Sequence, residues 1–125
     1  MNHEDVTKFI EAYRDSFGRG PGAVAEFYAE PCLIVGTGGV RVNPTRHETE
    51  RFLAEVDASH RTRGFTRTDV FALDVQPLGA SDALATVRWS YLGACEELLG
   101  KATLSYNLHR RDGVWKILVE TVHES

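Results

Sequence analysis

No stretch of this chain approaches the roughly 20 consecutive apolar residues of a membrane-spanning helix, so none of it is read as crossing a bilayer. Cysteine is scarce. Cys32 and Cys95 stand at a separation that matches no metal spacing, and they read as two free thiols rather than a disulfide framework. There is no basic excess: 14 Lys and Arg against 18 Asp and Glu give a net charge of −4 and a pI near 5.7. That balance excludes a general nucleic-acid binder, which needs a basic surface to neutralise phosphates, and the cluster His60-Arg61-Thr62-Arg63 is too short to reverse it. The opening MNHEDVTK is acidic before any apolar run and lacks the basic-then-apolar form of a secretory leader, so a cytoplasmic location is expected. Repeats, low-complexity segments and linkers are also missing, which leads to the expectation of one domain over residues 1–125.

What is present is an ordinary globular composition, 42% apolar and 26% charged, in a chain long enough to bury about two-thirds of its unfolded surface. The clearest local signal is Lys101–Val122. Two alternating runs flank Asp112-Gly113, a dipeptide suited to a tight hairpin turn. With Arg111 opposite Val114, unbroken alternation sets Leu108 against Ile117, Tyr106 against Val119, Leu104 against Thr121 and Ala102 against His123. That face is mostly apolar. Asn107, His109, Lys116, Leu118 and Glu120 then fall on a wetter face.

The earlier segments supply what a hairpin needs to be stable. Val6, Phe9, Ile10, Tyr13 and Phe17 form one stripe of a first helix, ended by Gly18, Gly20 and Pro21. Ala23–Tyr28 is expected as a second short helix or turn with Val24, Phe27 and Tyr28 inward, closed by Pro31. Short strands follow at 32–35 and 40–42, joined by Gly36-Thr37-Gly38-Gly39. Thr45 and Glu48 have capping-box spacing for a third helix, running to about His60 with Phe52, Leu53 and Val56 inward. Residues 65–76 alternate as a strand with Phe71, Leu73 and Val75 on one face. Ala83–Leu92 follows with Ala85, Val87, Trp89 and Tyr91 on its apolar face. An α+β fold is expected, an antiparallel sheet curled around its helices.

The order of elements, the motif Tyr106-Asn107-Leu108-His109-Arg110-Arg111-Asp112-Gly113-Val114-Trp115-Lys116-Ile117 and the passage Ala25-Glu26-Phe27-Tyr28-Ala29-Glu30 resemble the nuclear transport factor 2-like superfamily, including its SnoaL-like and ketosteroid isomerase branches. The resemblance covers nearly the whole chain. It implies a cone-shaped, cystatin-like fold, a curved antiparallel sheet around about three helices, with an apolar pocket and often a homodimer. Function within the superfamily ranges from isomerases to pure dimerisation modules. By the resemblance, Tyr13 matches the oxyanion tyrosine of ketosteroid isomerase, while the base position falls at or near Gly36 and the oxyanion acid near Tyr106. That enzyme's base therefore has no counterpart here.

Several residues have chemistry that suits such a pocket. Tyr13 and Tyr106 either point hydroxyls at a ligand carbonyl or are core tyrosines bonded to backbone. Asp69 shares the expected face of Phe71 and Leu73, which makes it the candidate pocket carboxylate, with Arg67 on the same parity able to neutralise it; the alternative is that both sit at the rim. His123 is either a general base near the open end or a frayed residue two positions from the end of the sequence. The expected apolar wall is Tyr13, Phe27, Phe52, Val87, Trp89, Tyr106, Leu108 and Val119. Gly36–Gly39 is followed by a strand and lacks the helix N-terminus of a phosphate site, His47 and Glu48 lack zinc-helix spacing, and Cys32 reads as an inert buried thiol. Neither metal nor cofactor is expected. The first functional reading is a pocket for a small hydrophobic carbonyl compound with acid/base chemistry at Tyr13, Asp69 and Tyr106. The second is a non-catalytic homodimeric module packed through the wetter face with His109, Asn107, Lys116 and Leu118.

Overall fold

The computed structural model describes residues 2–124. The first-helix stripe folds as read. Helix α1, Asn2–Ser16, buries Val6, Ile10 and Tyr13, and a 3-10 turn at Phe17–Arg19 ends it. Helix α2 is shorter than expected. It runs Pro21–Ala25 with the proline in its first turn, and Tyr28 already opens strand β1, Tyr28–Gly36. Pro31 therefore sits inside a strand instead of closing a helix. Strand β6, Val114–Val122, lies beside β1, and Pro31 falls between the pairs Tyr28–Ile117 and Leu33–Val119, where the ladder is irregular and the missing N–H is tolerated.

Strand β2, Gly39–Asn43, pairs back on β1 from Cys32–Asn43 to Gly36–Gly39. Helix α3, Arg46–Thr62, starts at Thr45, whose hydroxyl accepts from the Glu48 N–H at 3.4 Å. Strands β3 (Arg67–Pro77), β4 (Asp82–Leu92), β5 (Leu98–Arg111) and β6 complete a curved, unclosed six-stranded sheet in the order β2-β1-β6-β5-β4-β3. Its strand pairs are antiparallel except β1–β6, which is parallel.

The last hairpin turns at Asp112 and Gly113, with φ of 54° and 78°, the positive pair a two-residue turn requires. Pairing then follows the expected register only as far as Leu108–Ile117. A bulge at Leu118 shifts everything beyond it, so Asn107 pairs with Val119, Tyr106 with Glu120 and Leu104 with Val122. A second bulge, at Phe71, acts likewise on β3. Val70, Leu73 and Val75 pack on the core, while Phe71 is 63% exposed.

The narrow end of the fold is solid. Val6 and Ile10 of α1 meet Ala83, Ala85 and Val87 of β4, Leu108 of β5 and Ile117 of β6 in one cluster, all essentially inaccessible. Farther along, α3 does not close on the sheet. Its apolar stripe Phe52, Leu53 and Val56 stays half-buried, and of its side chains only Thr49 is fully buried. The space beneath that stripe is a cavity.

Candidate functional site

The cavity measures about 860 Å³ and opens between α3, the 65–69 segment and the sheet. Its floor is polar and buried. Tyr13 from α1, Tyr28 from β1, Trp89 from β4, Tyr106 from β5 and Glu120 from β6 converge there, none more than 6% exposed. Tyr13 is the centre of the aromatic layer, edge-on to Tyr106 at 5.5 Å, to Tyr28 at 5.9 Å and to Trp89 at 6.1 Å between ring centroids.

Hydrogen bonds join these groups. Tyr28 Oη donates to Glu120 Oε1 at 2.5 Å, Tyr13 Oη lies 2.6 Å from Tyr28 Oη, and Trp89 Nε1 donates to Tyr106 Oη at 3.0 Å. The Tyr106 hydroxyl in turn interacts with that of Tyr13. Glu120 Oε2 makes no hydrogen bond to protein among the described residues.

Burial sets the protonation of this floor. It pushes the Glu120 carboxyl up to about 7, with the Tyr28 hydrogen bond pulling the other way. It also raises Tyr13, Tyr28 and Tyr106 well above the ordinary phenol value, reinforced by neighbouring phenols and Glu120. At neutral pH the tyrosines therefore hold their protons, and Glu120 is poised to gain or lose one.

The mouth is aromatic and charged. Phe65 stacks on Tyr91 at 4.8 Å, His60 lies against both rings, and the Arg63 guanidinium sits 5.0 Å over Phe65. Burial and the nearby Arg63 hold His60 below the usual imidazole value. Asp69 is at the rim, 3.2 Å from Arg67 and 3.4 Å from Arg14. Partial burial pushes its carboxyl up, but the Val70 N–H and the two arginines outweigh this and hold it low.

Of the residues singled out from sequence, Tyr13, Asp69, Tyr106, Phe52 and Trp89 border the cavity. Phe27, Val87 and Leu108 are packed against the core at its solid end instead of lining the space. Two others lie outside. Val119, turned by the Leu118 bulge, is half-buried on the face of Asn107, and His123 is exposed with Nε2 2.6 Å from Ser105 Oγ. Glu120 moves the other way, from the expected wetter face into the floor. It is the buried carboxyl that unbroken alternation places on the wrong face, and its partner Tyr28 is a strand residue where a helix or turn is expected. A signal was present: Ile117-Leu118-Val119 puts three apolar residues in a row beside an alternating partner strand, as Val70-Phe71-Ala72-Leu73 does in β3. Both bulges fall within these runs.

A second hollow of about 450 Å³ lies between α2, β1 and the hairpin. Its basic groups are largely engaged, Arg46 with Gly22 O and Glu26, Lys116 with Glu26 O, and His109 with Asp82 at 2.8 Å. Among the described residues no cluster of His, Cys, Asp and Glu is arranged to hold a metal ion, and no helix is long and apolar enough to cross a membrane.

Comparison with solved structures places this architecture. An NTF2-like protein of unknown function from Shewanella oneidensis MR-1 superposes with a TM-score of 0.76 at 14% identity, covering 99% of this chain and all of that one. One from Pseudomonas putida KT2440 gives 0.78 at 12% identity, over 98% of this chain and 85% of that one. A domain of unknown function with a cystatin-like fold from Nostoc punctiforme PCC 73102 gives 0.77 at 16%, over 98% and 76%. At these identities the likeness is one of fold. No curated protein matches in sequence. The model of the family described as NTF2-like protein (DUF6841) matches residues 3–125, and the chain belongs to that NTF2-like family.

Proposed function

We propose that the chain, acting over residues 1–125 as one cytoplasmic domain, binds a small hydrophobic carbonyl or enol compound in the cavity and moves a proton on it with Glu120. The NTF2-like fold supports small-molecule binding. The observation that carries the chemistry is Glu120, a buried carboxyl with a pKa of about 7, held by Tyr28 at one oxygen and bordering the cavity. Such a group takes a proton from a carbon or oxygen acid and returns it at working pH. Asp69 is the weaker candidate base, since two arginines hold it ionised at the rim. Tyr13 and Tyr106 support the floor as donors and not as bases.

The experiment is deuterium exchange at carbons beside the carbonyl in a panel of small hydrophobic ketones and polyketide-like compounds, with wild type beside Glu120→Gln. Exchange by the wild type that falls about 100-fold or more in the variant supports proton transfer by Glu120. Thermal unfolding against the same panel reads binding separately: a ligand at about 100 times its dissociation constant adds about 2.7 kcal/mol. Binding without exchange in any compound overturns the catalytic part.

The second reading, a non-catalytic homodimeric module, draws on apolar side chains left in water, Phe71 at 63% and Val114 at 53% exposed. Light scattering on dilution tests it, and a monomer across the concentration range removes it.

A further inference from the structure

The hydroxyls on the cavity floor form a chain whose direction is fixed by chemistry. An indole N–H only donates, an ionised carboxylate only accepts, and a phenol has one proton to give. Trp89 therefore donates to Tyr106, and Tyr28 spends its proton on Glu120. The 2.6 Å contact between Tyr13 and Tyr28 must then use the proton of Tyr13. Tyr106, whose hydroxyl takes the Trp89 proton, meets Tyr13 by an edge-on ring contact at 5.5 Å. The protons of Tyr13 and Tyr28 therefore run the same way, from α1 through β1 to β6.

The consequence falls on the ligand. With Glu120 ionised, the floor around it shows lone pairs: Oε2 of Glu120 has no protein donor among the described residues, and the protons of Tyr28 and Tyr13 are spent on Glu120 and on Tyr28. We infer that the buried end of the ligand is a hydrogen-bond donor, an enol or phenol hydroxyl given to the Glu120 oxygen that borders the cavity. A matched ketone or ether would leave a buried carboxylate oxygen unmet, and a site built to accept a hydroxyl rejects analogues lacking it. This rests on the proposed binding site and adds the class of ligand.

The groups facing Glu120 leave its proton as the variable. They are Tyr13 of α1, Tyr28 and Cys32 of β1, Tyr91 of β4 and Tyr106 of β5, and no Lys, Arg or His among the described residues forms an ion pair with it. Protonating Glu120 turns its free oxygen from acceptor to donor, while Tyr28 continues to donate to the other. The preference should then invert towards ketones.

The test is equilibrium binding of 2-naphthol, 2-methoxynaphthalene and 2-acetylnaphthalene between about pH 5.5 and about pH 8.5, a range that brackets the Glu120 titration while 2-naphthol stays largely neutral. At the upper end naphthol should bind about 100-fold tighter than its methyl ether. Its affinity should fall by up to about tenfold per pH unit below the midpoint, while that of the ketone should rise by up to about tenfold per pH unit as pH falls towards the midpoint and level off below it. Glu120→Gln should remove both slopes. Tyr28→Phe, which removes the hydrogen bond that favours the ionised carboxylate and leaves Glu120 in place, should move both slopes to higher pH. Equal, pH-independent affinities in the wild type overturn the inference, as does binding of none of the three. Ketone exchange by the wild type alongside either result would leave the proposed proton transfer standing.

Discussion

The Tyr28 hydroxyl lies 2.5 Å from the Glu120 carboxylate, two side chains 92 residues apart in sequence and brought together across the parallel pairing of the first and last strands. Glu120 holds its proton more tightly folded than unfolded, so folding takes up a proton between the ordinary carboxyl value of 4.5 and about 7. Stability from this group is fully present below the lower value and is lost as pH rises through the upper one. At roughly 1.4 kcal/mol per pH unit the loss is about 3 kcal/mol. Urea unfolding across this range should show the decline, and Glu120→Gln should flatten it. A wild type whose stability does not fall between these values would refute the buried carboxyl.

Removing the Tyr28 hydroxyl should raise the Glu120 midpoint further. Its hydrogen bond is the interaction that favours the ionised form, so Tyr28→Phe leaves only burial, which favours the neutral acid. Carbon-13 NMR of labelled glutamate carboxyls reads the midpoint directly. A downward move would count against the bond as drawn.

Deleting Leu118 should leave Glu120 in place. The bulge makes Leu118 the extra residue, since Leu108–Ile117 and Asn107–Val119 are consecutive pairs on either side of it. Without it the ladder runs straight through, and Tyr106 still meets Glu120. The deletion variant should keep the fall in stability around neutral pH, and a flat profile in a folded variant would show that the bulge aims Glu120 in some other way.

Thr45→Ala should cost about 1 kcal/mol by leaving the Glu48 N–H at the start of α3 without its side-chain acceptor. Chemical denaturation measures it. Because α3 roofs the cavity from above, the same variant should weaken ligand binding less than it weakens the fold. An equal loss in both would tie the roof's position to the cap.

Much of the fold was legible because its determinants are local. The stripe Val6, Ile10 and Tyr13, the Thr45 cap, the alternation from Ala83 to Trp89 and the Asp112-Gly113 turn each depend on residues within a few positions of one another. Tyr13, Tyr106 and Trp89 could be picked out because they sit on strongly patterned segments whose own alternation no extra residue interrupts. Asp69 could be picked out too, but not its engagement by Arg14 from a helix 55 residues earlier.

What the chain alone determined is therefore the set of helices and strands and the fold class they compose, through periodicity and turn chemistry. The tertiary structure decided which way β6 faces beyond Leu118, that β1 lies parallel to it, and that Tyr28 is a strand residue at the floor. Parity along a strand is a sequence property only while pairing is regular. One extra residue reverses it, and where that residue goes depends on partner strands and on the side chains of α1 and β1 that the reversed face must meet. Glu120 entered the core by that reversal, with Tyr28 there to receive it.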